Sequence, residues 1–102
     1  MKTKHILQSS IDTIYRCSID FEPGDNLEVD KVLEAAEAFH STIRDKLPRV
    51  GGFLPPSLAD IETYNTPVCC YIQIQGYDRQ IVEEIAAKTE RYILRFKGSK
   101  II

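Results

Sequence analysis

Three cysteines and two histidines are the side chains of this 102-residue chain best suited to bind a metal ion or to form a nucleophile with its base. They are Cys17, Cys69, Cys70, His5 and His40. Thiolates and imidazoles are normal zinc ligands, but the chain contains no Cys-x-x-Cys motif. Adjacent cysteines in a strand point to opposite faces of the sheet, so Cys69 and Cys70 would not converge on one tetrahedral ion. We therefore expect no metal site and no cofactor, with Cys17 and Cys70 as small core residues.

Sequence motifs for catalysis are also missing. The chain contains no Gly-x-Ser-x-Gly, phosphate-binding loop, dinucleotide-binding fingerprint or His-Glu-x-x-His. A Cys69 nucleophile with a histidine base would need a geometry that spacing along the chain does not supply. No catalytic residue is therefore predicted, and the interpretation leans toward a protein that is not an enzyme.

Candidate binding residues fall on strands that the pattern of hydrophobicity predicts and in one loop. The predicted strands would bring four of them to one sheet face: Arg16, Tyr71, Arg95 and Lys97. Such cations with an aromatic ring could bind a single-stranded nucleic acid, although acidic residues share the face: Asp12, Asp20 and Glu22. In the loop, Phe53 and Leu54 are the apolar residues that we expect to contact a partner.

Alternation and helical spacing predict the elements that hold these residues. Apolar side chains alternate with polar ones from Ile11 to Glu22 and again from Val68 to Gly76, which is typical of half-buried strands. A helix is predicted from Asp25, as its cap, to the residue before Pro48. A second helix should start at Asp78 and precede a final strand over 92–97, while 48–67 should form an irregular edge strand and a long loop.

This order of elements predicts an α+β fold. A β-α-β-β-α-β chain favours a ferredoxin-like domain, in which a four-stranded antiparallel sheet carries two helices on one face. One domain is expected over residues 1–102, with residues 1–10 as a flexible N-terminal segment. Because helices would cover one side of the sheet, function is expected on the open face or in the long loop.

Composition limits the classes of function. No apolar run is long enough to cross a membrane, and the first residues lack the apolar core of a signal peptide. Three cysteines cannot all pair within one chain, which suits a reducing compartment, so we expect a cytoplasmic protein without a membrane partner. A net charge of −2 argues against broad, nonspecific attraction to nucleic acid.

The segment after the first predicted helix reads Val50-Gly51-Gly52-Phe53-Leu54-Pro55-Pro56-Ser57, and it resembles the Gly-Pro-rich segment of the small-subunit ribosomal protein ten family. The resemblance extends to the order of elements over residues 11–98. It implies a long loop inserted into ribosomal RNA and a second role as a binding partner in transcription antitermination. The chain departs from the family at Phe53, where the family has proline, and it lacks the family's basic loop residues.

Three functional hypotheses follow. The leading one is a non-enzymatic interaction module that docks on a larger protein or a ribonucleoprotein through its open sheet face and the 50–67 loop. The second is a dimeric ferredoxin-like enzyme or a small-ligand-binding protein that uses Tyr71, Cys69 or His40. The third is a single-stranded RNA binder, and a homodimer is compatible with each of the three.

Overall fold

The computed structural model describes residues 14–47, 59–67 and 69–102 of the chain. The predictions for residues 1–10 and for Phe53 and Leu54 lie outside these residues. The described elements, in chain order, are β1 (Tyr15–Glu22), α1 (Val29–Asp45), β2 (Ala59–Asn65), β3 (Cys70–Gly76), α2 (Arg79–Leu94) and β4 (Lys100–Ile101). The predicted α+β class is confirmed.

Within the described residues, the four strands form one antiparallel sheet in the order β2-β3-β1-β4. Because β1 and β2 are both antiparallel to β3, they run in the same direction, with α1 connecting them and β3 between them. In the same way α2 connects β3 to β4, with β1 between them. This arrangement is compatible with the ferredoxin-like fold that the sequence predicts.

The hydrophobic core lies between one face of the sheet and both helices. Phe21 of β1 and Ile72 of β3 are fully buried there, as are Val32 of α1 and Ile85 of α2. Burying each such side chain contributes roughly 1.5–3 kcal/mol, so the shared core fixes both helices on the same side of the sheet.

Helix α1 starts later than the predicted cap at Asp25. Its N-cap is Glu28, whose side chain makes no capping hydrogen bond. Asp25 instead lies in a turn, where its backbone N–H donates to the Lys97 carbonyl over 2.8 Å. Asn26 follows in the left-handed region at φ 65°, and Leu27 is then buried. The chain must therefore complete this turn and bury Leu27 before a helix can begin.

Helix α2 confirms the predicted cap and corrects the predicted last strand. The Asp78 carboxylate accepts hydrogen bonds from the backbone N–H groups of Gln80 and Ile81 over 2.9 and 3.2 Å. A cap of this kind contributes about 1 kcal/mol. The prediction of a strand over 92–97 is wrong, because α2 continues to Leu94 and buries Ile93 completely. The last strand is Lys100–Ile101, reached through a turn in which Gly98 has φ 85°.

Strand β2 lies at the edge of the sheet, inside the span for which an edge strand was predicted. It pairs with β3 along its whole length, from Ala59 opposite Gly76 to Asn65 opposite Cys70. No helix in the part of the chain described above is both long and apolar enough to cross a membrane.

Candidate interaction face

The sheet has one face that no described element covers, and we call it the exposed sheet face. Side chains alternate along each strand, so the residues between core positions point away from the helices. Strand register places these residues on it: Arg16, Ser18, Asp20, Glu22, Asp60, Glu62, Tyr64, Tyr71, Gln73, Gln75 and Lys100. Arg16 and Tyr71 are therefore on the face that the sequence predicted for them.

Two tyrosines form an aromatic platform on this face. Tyr64 of β2 lies directly opposite Tyr71 of β3, and their ring centroids are 4.7 Å apart with an angle of 20° between the planes. The Tyr64 hydroxyl donates a hydrogen bond to the Glu62 carboxylate, which raises the pKa of Tyr64. Tyr64 remains 38% exposed. The rings are thus stacked and fixed while still offering apolar surface to a partner.

Arg16 is held at the other end of the face. Its Nε donates to Oε1 of Gln75, its cross-strand neighbour, over 2.9 Å. Tyr71 is paired with Asp20, which lies four residues after Arg16 on β1. At the rise of a strand, this separation is about 13 Å. Arg16 and Tyr71 therefore share the face without forming one compact site.

The charge of the exposed sheet face is mainly negative. Its carboxylates are Asp20, Glu22, Asp60 and Glu62, and its cations are Arg16 and Lys100. Lys100 Nζ lies 3.6 Å from Glu22 Oε1, so one carboxylate is already paired. Of the other carboxylates, Asp20 and Glu62 lie next to the tyrosine platform. Such a surface attracts basic groups and repels phosphates.

The placement of Arg95 and Lys97 on this face is wrong. Arg95 is the C-cap of α2, and Lys97 lies in the turn that follows it. The last turn of α2 replaces the predicted strand, so neither side chain belongs to the sheet. The face consequently loses two of the three cations that the RNA hypothesis assigned to it, and only Arg16 remains.

Sequence reasoning missed Tyr64 and two acidic residues of the same strand, Asp60 and Glu62. All three belong to β2, in the stretch Asp60-Ile61-Glu62-Thr63-Tyr64. That stretch alternates polar and less polar side chains, which was the available signal. Its partner strand and its register with β3 could not be read from local sequence, so its contribution to the face was not foreseen.

His40 lies on the helix side of the sheet, opposite the exposed sheet face. It is 8% exposed and borders a polar cleft of about 420 Å³ between α1 and β2, together with Arg44 and Asp60. Burial and the positive charge of Arg44 lower the pKa of His40. Because Tyr71 points away on the other face, His40 and Tyr71 cannot share one pocket of the monomer.

Two of the three cysteines, Cys17 and Cys70, occupy positions with little nucleophilic character. Cys70 is buried in the core, and Cys17 packs against it. Burial raises the pKa of both thiols, which disfavours the reactive thiolate. Within the residues that the structure covers, no group of three or more histidine, cysteine or acidic side chains could hold a metal ion.

The chain matches no protein-family model, no curated protein and no solved structure at a significant level. The resemblance to the ribosomal protein family therefore stays a prediction.

Proposed function

We propose that the protein is a non-enzymatic interaction module of ferredoxin-like fold that docks on a larger protein through its exposed sheet face. The stacked pair of Tyr64 and Tyr71 carries this proposal. Tyrosine supplies a large contact area at low cost in conformational entropy, and aromatic side chains are enriched at the centres of protein interfaces. The platform and its carboxylates together resemble the apolar centre and polar rim of such an interface.

The charge around the platform selects a basic partner surface. Asp20 lies directly opposite Tyr71 on one side, and Glu62 is hydrogen-bonded to Tyr64 on the other. A lysine or arginine of the partner could pair with these carboxylates and lie over the tyrosine rings. In a ribonucleoprotein, this face would bind the protein component, because the carboxylates disfavour direct contact with phosphates.

A site-specific crosslink in the protein's own cells tests the proposal. A photoreactive amino acid replaces Gln73, which lies between the tyrosine platform and Arg16 on the exposed sheet face. We expect a crosslink to a defined protein that survives nuclease treatment. The same replacement at Glu34, an exposed residue on the outer side of α1, is the matched control and should give none.

A variant that lacks the tyrosine platform provides the second part of this test. Tyr64→Ser combined with Tyr71→Ser should abolish the crosslink from position 73, because the apolar contact area is lost. Equal crosslinking from positions 73 and 34 would contradict docking through this face. A crosslink that disappears with nuclease would instead favour the RNA-binding hypothesis.

A further inference from the structure

A second surface lies on the helix side of the molecule, away from the exposed sheet face. A groove of about 630 Å³ runs along the C-terminal half of α2, and one residue of α1 borders it. We call it the basic groove, and its lining residues are Phe39, Lys88, Arg91, Tyr92, Leu94 and Arg95. It shares no residue with the exposed sheet face.

The apolar part of the groove is partly exposed to solvent. Leu94 is 54% exposed, while Phe39 and Tyr92 are half-buried beside it. The Tyr92 ring is held edge-to-face against Phe96, with 5.3 Å between the ring centroids. The groove therefore offers a fixed aromatic side chain and an exposed leucine to an apolar anchor.

The charged part of the groove is entirely positive. Its lining contains three cations and no carboxylate. Lys88 Nζ lies 3.5 Å from Glu84 Oε2, whereas Arg91 and Arg95 form no ion pair within the described residues. Cations at a helix C-terminus complement the helix dipole, which accounts for an arginine at this end of α2. The dipole does not account for the exposed Leu94 that lies between Arg91 and Arg95. Guanidinium groups at this spacing suit carboxylate ligands.

The shape of the groove favours a segment of protein over a small molecule. Residues 88–95 cover about two helical turns, a length of roughly 10 Å. Small-molecule sites usually enclose most of their ligand, whereas this groove is open along one side. We propose that the basic groove binds a short segment of another protein in which acidic side chains flank an apolar anchor. The carboxylates pair with Arg91 and Arg95, and the anchor packs on Leu94 and Tyr92.

Fluorescence anisotropy with a defined peptide tests this proposal on the full chain. The probe is a labelled peptide of about ten residues, with leucines at helical spacing and glutamates at the other positions. We expect saturable binding to the wild-type protein. Arg91→Glu combined with Arg95→Glu should weaken it by about tenfold or more, and Leu94→Ser by about fivefold, since half of that side chain's surface is available for burial.

Two matched controls make the result decisive. Lys31→Glu combined with Lys46→Glu changes the net charge by the same amount at two exposed residues, one in α1 and one at its C-cap, and should leave binding unchanged. A probe with serines in place of its leucines should bind weakly. Equal binding of the serine probe would overturn the proposal by showing charge attraction alone. Displacement of the probe by oligouridylate, with no effect of Leu94→Ser, would overturn it in favour of a nucleic-acid ligand.

Discussion

His40 is the titratable residue whose behaviour depends most on its surroundings. It sits on α1 with Arg44 one turn away, and Glu37 of α1 and Asp60 of the edge strand β2 line the same cleft. Burial and Arg44 lower its pKa, while the two carboxylates act in the opposite direction. The net result is a lowered pKa, so the folded state disfavours the protonated form of His40.

This lowered pKa predicts a loss of stability in mild acid. Above the ordinary value of 6.5, His40 is neutral in both folded and unfolded states. Below it, the unfolded chain binds the proton more readily, so the free energy of unfolding falls as pH decreases from 6.5 toward the folded pKa. Urea unfolding of the wild type should therefore lose more stability between about pH 7 and about pH 5 than His40→Gln does. Identical losses in the two proteins would show that His40 is not the group responsible.

Two turns contact each other closely at one end of the sheet. Gly24 follows β1, and its backbone N–H donates to Oγ of Ser99, the residue before β4, over 2.6 Å. A Cβ atom at Gly24 would lie 2.2 Å from the Lys97 carbonyl oxygen and 2.3 Å from the Ser99 nitrogen. Both neighbours are backbone atoms, so they cannot move aside without displacing the turn that starts β4.

Gly24→Ala should therefore destabilise the fold, by about 2–3 kcal/mol from overpacking. The matched control is Gly98→Ala in the facing turn. There the nearest atom to an added Cβ is 3.8 Å away, and only the backbone strain of φ 85° applies, about 1–2 kcal/mol. Urea denaturation of both variants gives the comparison. If the Gly24→Ala variant is as stable as the Gly98→Ala variant, or more stable, the two turns can move apart with little loss of folding free energy.

At the scale of the whole molecule, the exposed sheet face and the basic groove carry opposite charge and lie on opposite sides of the protein. Carboxylates dominate the exposed sheet face, and the basic groove on the helix side has cations alone in its lining. The net charge of −2 conceals this separation. A basic partner is attracted to the exposed sheet face before contact, which raises the rate of productive association.

Charge reversal on the sheet face should consequently slow binding of the partner that crosslinks from position 73. Asp20→Lys combined with Glu62→Lys is expected to lower the association rate by about tenfold at low salt, with a smaller effect at high salt. Glu34→Lys combined with Asp45→Lys gives the same change in net charge at exposed positions of α1. Surface plasmon resonance measures both variants. An equal decrease in the two would indicate an effect of net charge rather than of this face.

Local sequence determined the parts of this protein that depend on near neighbours along the chain. The alternation around Cys17, Ile19 and Phe21 identified β1, because a strand buries every second side chain whatever it pairs with. The Asp78 cap of α2 could also be predicted from the sequence, because its carboxylate accepts hydrogen bonds from backbone groups only two and three residues away. The α+β class and the sheet-face positions of Arg16 and Tyr71 follow from the same short-range patterns.

Tertiary structure decided what depends on partners distant in sequence. The stretch from Tyr92 to Phe96 suits either a strand or a helix, and burial of Ile93 against the core selected the helix, which removed Arg95 and Lys97 from the sheet. The register of β2 against β3 brought Tyr64 onto Tyr71. Both outcomes depend on packing between segments far apart in the chain, and short-range periodicity carries no information about such packing.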